Sequence, residues 1–161
     1  MKRDGATLDQ LRQIYERRLD ELRRVAAAIV RDRELACDVV QEAFVRAVRS
    51  RRTFTGDGSL EAWVWRIVVN TARDTRAGVW EEIPEDLPAS SASSDAWERQ
   101  AVRAAVERLP ERQRLVLFLR VYADLDYGTI ARVVGITEGT VGATLNAAHA
   151  NLRQALAEVS S

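Results

Sequence analysis

The 161-residue sequence has a single cysteine, Cys37, and a single histidine, His149. A lone thiol closes no internal disulfide. One thiol with one imidazole makes neither a zinc ligand set nor a nucleophile–base pair. No metal, cofactor or catalytic residue is therefore expected. Proline is scarce, with three, and glycine numbers eight, while Ala, Arg, Leu and Val abound, a balance that favours helices. No apolar run approaches the roughly 20 residues that cross a bilayer, and the first residues hold no signal-peptide core. A cytoplasmic chain without membrane insertion is expected. Net charge is absent as well, because Lys+Arg and Asp+Glu each number 24.

That zero conceals a pattern. Residues 1–78 carry 16 basic and 12 acidic side chains, 79–98 carry six acidic and no basic ones, and 99–161 carry eight basic and six acidic. The acidic stretch Glu81 to Ser94 holds Pro84, Pro88 and a serine cluster without apolar periodicity, which reads as a flexible linker. The expected fold is all-α: two small helical domains, residues 1–78 and 95–161, joined by an acidic linker over 79–94.

In the first block Leu8, Leu11, Ile14/Tyr15, Leu19, Leu22, Val25/Ala26 and Ile29 recur at steps of three and four, one stripe of a long helix capped by Thr7. A second helix follows Asp32, with Leu35, Val39/Val40, Ala43/Phe44 and Ala47/Val48 inward. Asp38, Gln41, Glu42 and Arg46 lie on its other face, where Glu42 and Arg46 form an i,i+4 pair. A loop with Gly56, Asp57 and Gly58 leads to a third helix starting near Ser59. Its expected buried stripe is Leu60, Trp63/Val64, Ile67/Val68 and Thr71, which leaves Trp65, Arg66, Asn70, Arg73 and Arg76 available to partners.

The second block opens with Asp95 and Glu98 at capping-box spacing, then an apolar face of Trp97, Ala101/Val102, Ala105 and Leu109. Pro110 ends that helix and starts the next, whose run Leu115-Val-Leu-Phe-Leu119 is apolar all round and therefore central. Asp126 caps a short helix over Tyr127 to Val134, Gly135 breaks it, and Thr137 caps a last helix over Glu138 to Val159. Ala131, Gly135, Ile136, Val141 and Leu145 have helix-turn-helix logic: a small residue at the crossing, a glycine at the turn, and apolar residues pinning the second helix.

Taken together, the blocks resemble the extracytoplasmic-function (ECF) sigma factors of bacterial RNA polymerase. The likeness is carried by Asp32-Arg-Glu-Leu-Ala-Cys-Asp-Val-Val-Gln-Glu-Ala-Phe44, Leu60-Glu-Ala-Trp-Val-Trp-Arg-Ile-Val-Val-Asn70, Leu109-Pro-Glu-Arg-Gln-Arg114 and Tyr127-Gly-Thr-Ile-Ala-Arg-Val-Val-Gly-Ile-Thr-Glu-Gly-Thr-Val141, in the family's order. The resemblance implies that Asp38, Gln41 and Glu42 dock on core RNA polymerase. It implies that the third helix and the loop Arg52 to Ser59 read and melt the −10 promoter element through Trp63, Trp65, Arg66, Asn70 and Arg73. The helix-turn-helix would read the −35 element through Arg112, Thr137, Glu138, Thr140, Thr144, Asn146 and His149. The linker resembles the segment that runs toward the RNA exit path, and an anti-sigma factor is an implied partner. The free chain is expected to be a monomer and not an enzyme.

The sequence departs from the family where DNA contact is strongest. Gly142 and Thr144 stand where Lys and Arg are expected, and Ala147, Ala150 and Asn151 replace further cations. Lys and Arg contacts to phosphates supply much of protein–DNA affinity. Two readings follow: an initiation factor that relies on polymerase for affinity, or a sigma-like competitor that binds polymerase or a regulator with weakened DNA contact. With few charges to hold it on DNA, the two domains could also close on each other or on an inhibitor.

Overall fold

The computed structural model describes residues 5–78 and 94–161, with side chains described over 5–76 and 96–161. The linker expected over 79–94, with Trp80, and the Asp95 cap fall outside the described side chains. Among the described residues the elements are α1 (Leu8–Val30), α2 (Arg33–Ser50), a 3-10 turn (Arg51–Thr53), α3 (Leu60–Gly78), α4 (Ser94–Glu107), α5 (Glu111–Val121), α6 (Tyr127–Val134) and α7 (Glu138–Val159). No strand occurs among them.

Each boundary has a local cause. Thr7 and Gln10 form a reciprocal capping box at the head of α1, satisfying two amide donors that the helix leaves free. Asp32, Ser59, Asp126 and Thr137 accept from Leu35, Ala62, Thr129 and Thr140 amides at 3.0, 3.0, 2.7 and 3.1 Å, caps of about 1 kcal/mol each. The α1 helix ends at Arg31, which takes the left-handed conformation (φ 58°) and donates its N–H to the Ala27 carbonyl.

The helices α1, α2 and α3 pack mutually, while α5 packs on α7 and α6 on both α5 and α7. Arg17 and Arg18 of α1 both hold Glu61 in the first turn of α3, at 2.9 and 2.7 Å. The two halves also meet. The α1 helix touches α5 and α3 touches α6, so a single apolar core runs from Leu11, Val25 and Val68 through to Leu115, Ile130 and Leu145.

Burial along α3 corrects its expected stripe. Trp65 is fully buried (0 % exposed), together with Val64, Val68, Val69, Thr71 and Ala72, whereas Trp63 is only half-buried. A helix packed on α1 and α2 and also on α6 buries an arc wider than one seam, and Trp65 follows one turn after Glu61, which Arg17 and Arg18 of α1 hold. On α4 the reverse holds: Trp97 is 62 % exposed and Val102 is exposed as well. The α4 helix packs chiefly on α7, so among its described side chains only Ala105 is buried, with Leu109 just after it. Val48, expected inside α2, is also at the surface, with Ala47 filling the inward position.

Candidate polymerase-docking and nucleic-acid interfaces

On α2, Asp38, Gln41 and Glu42 share the solvent face, as a 3.6-residue repeat places them. Glu42 is not free there. Arg46 bonds its carboxylate at 3.1 Å and that of Asp74, on α3, at 3.0 Å, and both partners raise the guanidinium pKa above its ordinary value. Gln41 borders an open groove of about 400 Å³ lined by Tyr15, Phe44, Val45, Val48 and Arg49. Tyr15 and Phe44 meet edge to face, ring centroids 4.8 Å apart, forming its floor. The exposed Val45 and Val48 are the parts of this face that the periodicity missed. Their signal was available, since Ala43 and Ala47 already fill the inward track of α2 and leave bulkier neighbours outside.

On α3, Arg66 and Asn70 are exposed and Arg73 is half-buried. Trp65 cannot touch a base: its ring is enclosed by the core, and its indole nitrogen finds no acceptor among the described residues. The aromatic surface comes instead from Trp63, which packs on Phe54 from the preceding loop, ring centroids 5.7 Å apart. That loop turns at Gly56 and Gly58, with φ of 82° and 80°, a conformation that glycine enters without a Cβ clash.

In the second half, α6 ends at Gly135 (φ 79°), whose N–H reaches the Ala131 carbonyl at 2.8 Å. Three residues, Gly135 to Thr137, then redirect the chain into α7. Val141, Leu145 and Ala148 bury the inner face of α7, while Glu138, Asn146 and His149 stand exposed on the outer one. This is a helix-turn-helix with its second helix presented for a groove. The polar inventory of that helix is partly committed. Thr137 caps the helix and pairs with the Thr140 hydroxyl at 2.8 Å, and Thr144 donates to the Thr140 carbonyl at 2.6 Å. The Glu138 carboxylate lies back against Gly128 on α6. Asn151 donates to Gln113 at 2.8 Å. Arg153 is the one Lys or Arg in the α7 sequence.

Arg112, in the first turn of α5, is exposed. Its neighbour Arg114 is not a solvated first-turn charge. It is 4 % exposed and donates to the carbonyls of Ala28, Glu107 and Leu109. Burial, with Arg31 and Arg76 nearby, pulls its pKa below the ordinary guanidinium value.

Comparison with known proteins follows the same division. The family model for sigma-70 region 2 matches residues 14–82 and that for sigma-70 region 4 matches 99–158. The ECF RNA polymerase sigma factor SigM of Mycobacterium tuberculosis is 32% identical over 148 residues, covering 89% of this chain and 76% of that protein. The chain belongs to the ECF sigma factors. The RNA polymerase sigma-H factor of Pseudomonas aeruginosa is 32% identical over 146 residues, covering 79% of this chain and 76% of its own length. The ECF RNA polymerase sigma-E factor of Escherichia coli is 34% identical over 128 residues, and the matched part spans 64% of that relative. Two solved structures share the sigma-factor fold. CnrH, solved with the cytosolic domain of CnrY, superposes with a TM-score of 0.73 at 23% identity, covering 97% of this chain and 92% of that one. The sigma factor RpoE of Bartonella quintana, solved with the anti-sigma factor NepR, gives 0.72 at 23%, covering 92% and 98%. No helix among the described residues is long and apolar enough to cross a membrane.

Proposed function

We propose that this ECF sigma factor binds bacterial core RNA polymerase in the cytoplasm, directs it to promoters and starts DNA-templated transcription. The observation that carries this reading is the ordered pairing of a region 2 helical unit with a region 4 helix-turn-helix in one chain. The α2 face of Asp38, Gln41 and Glu42, with the apolar groove beside Gln41, docks on polymerase. Trp63, Arg66, Asn70 and Arg73 engage the −10 element, where bases leaving the stack need an aromatic surface beside cations. The outer face of α7, with Thr137, Glu138, Thr140, Thr144, Asn146 and His149, and Arg112 of α5 engage the −35 element. Polymerase supplies the bond-making site, so this chain works without catalysis, cofactor or metal. An anti-sigma protein is the proposed negative partner, and the free chain is a monomer.

The competitor reading has one observation in its favour: α7 carries a single basic side chain, Arg153. Gel filtration with sigma-free core polymerase, followed by promoter opening with a fluorescent base near the −10 element, separates the two. An initiator co-migrates and opens DNA, whereas a competitor co-migrates and leaves it closed. Failure to co-migrate where another sigma factor does so overturns both.

A further inference from the structure

The loop between α2 and α3 is held at both ends by one segment, α1 with the residues that lead into it. At the loop's start the Ala6 amide donates to the Arg51 carbonyl at 2.9 Å, and the Phe54 amide donates to the same oxygen at 3.4 Å. A carbonyl oxygen has two lone pairs and takes both. Ala6 is itself 6 % exposed and part of the core. Gly5 lies directly on the same turn: a Cβ there would strike the Arg51 carbonyl and sit 2.6 Å from Arg52 Cα. Both obstacles are backbone, so no side chain can swing aside to make room, and the close approach requires glycine. At the loop's other end, Arg17 and Arg18 hold Glu61, the second residue of α3, at 2.9 and 2.7 Å.

The two anchors share a frame. Thr7 follows Ala6 and is locked to α1 by its capping box with Gln10, so Ala6 is fixed against the head of that helix. From Leu8 to Arg17 the helix rises ~14 Å, which sets how far apart the two ends of the loop are held. Left to itself the loop would be loose. A three-residue 3-10 turn has poor hydrogen-bond geometry of its own, and two glycines after it lose much backbone entropy on ordering. Phe54 is the first residue past the turn, and Trp63, on which its ring packs, is two residues past Glu61. We infer that Gly5, Ala6 and Glu61 are positioning residues: they bracket the loop from α1 and so hold the Phe54–Trp63 pair in the arrangement that meets the −10 element. The bracket rests on the contacts alone, and its effect on promoter opening rests on the function proposed above.

Residue-resolved amide hydrogen exchange on the full chain, without DNA or polymerase, tests the bracket. Gly5→Ala should speed exchange at Ala6 and Phe54 about tenfold, while exchange in α5 and α7 and the helix content by circular dichroism stay unchanged. Glu61→Gln removes the charge that Arg17 and Arg18 hold and should speed exchange at Ala62 and Trp63, in the first turn of α3. Unchanged exchange at Phe54 in the folded Gly5→Ala variant overturns the bracket, and if that variant fails to fold, unchanged exchange at Trp63 in Glu61→Gln does so. Promoter opening with sigma-free core polymerase and a fluorescent base near the −10 element tests the positioning role. Each variant should open DNA roughly fivefold less, with affinity for polymerase and for a −35 duplex within about twofold of the wild type. Because both release the same loop, the double variant should lose little more than either single one. A contribution to stability alone lowers the thermal midpoint and leaves opening at the wild-type level well below that temperature, and this result overturns the positioning role. If the wild type itself opens no promoter, the proposed function fails while exchange still decides the bracket.

Discussion

Phe54 and Trp63 pack with ring centroids 5.7 Å apart and planes tilted by 55°, fastening the glycine-turned loop to the helix that follows it. The contact leaves Trp63 half in solvent two residues before a tryptophan that sees none. The two rings are therefore expected to fail differently when truncated.

Trp65→Ala empties a fully enclosed site and should cost about 3–5 kcal/mol, read as a large fall in the thermal midpoint. Trp63→Ala should cost less than half of that and leave the fold intact, yet reduce promoter opening at least tenfold because the exposed aromatic surface is gone. Thermal melts and a fluorescent-base opening assay check both. Equal destabilisation by the two changes would refute the separation.

The docking face offers a cleaner substitution than its most acidic residue. Glu42 is tied through Arg46 to Asp74, so changing it perturbs the α2–α3 contact as well as any partner. Asp38→Arg with Gln41→Ala alters exposed side chains only and should leave stability within ~0.5 kcal/mol. Binding to core polymerase should fall at least tenfold, measured by co-migration or fluorescence anisotropy. Retained binding would move the docking surface elsewhere.

Helix ends were legible because their causes are local: Thr7, Asp32, Asp126 and Thr137 cap where the residue types alone place them, and Gly135 breaks α6 with a positive φ that glycine takes without strain. The all-α class followed from spacing, as did Val141 and Leu145 on the inner face of α7. What spacing could not show was the meeting of the two halves. Trp65 reads as a surface residue, yet α3 has α1, α2 and α6 packed around it and buries more than one stripe. Arg114 reads as a first-turn charge, solvated or helping to position phosphates, until the end of α1 arrives from 86 residues away. Trp97 reads as core on an apolar stripe, yet α4 has little beyond α7 to press it against. Each error concerns a neighbour supplied by a distant segment, which no local period encodes.

The Asp126 cap has a pH signature. Thr129 donates to the Asp126 carboxylate, from its backbone amide first and its hydroxyl second, which stabilises the charged form and lowers its pKa from the ordinary value. A depressed folded-state pKa gives stability that is complete above the unfolded-state value and is lost as pH falls through the folded one, because the unfolded chain takes up the proton first. Asp126→Asn keeps a capping oxygen but no titration. The variant should therefore lose less thermal stability than the wild type on acidification below pH ~4. Parallel acid-side slopes in the two melting series would show that the cap carries no pH dependence.

The recognition helix can be asked directly whether it lies on phosphate. A Cβ at Gly142 would meet Tyr127 at 3.6 Å, an ordinary contact, so a side chain there is accommodated. Replacing this helical glycine should itself stabilise the protein by up to ~1 kcal/mol. Gly142→Ala therefore serves as the control for that gain. Gly142→Lys with Thr144→Arg puts cations at the two positions where the family has them, at the loss of one hydroxyl bond to the Thr140 carbonyl. If both reach phosphates, the slope of log affinity against log salt should steepen by about 2, and affinity for a −35 duplex at low salt should rise about tenfold. Fluorescence anisotropy over a salt series reads both quantities. A steeper slope with stronger promoter opening means that the natural chain is short of DNA contact and leans on polymerase for affinity. An unchanged slope would mean that the outer face of α7 does not approach the DNA backbone, whatever its fold.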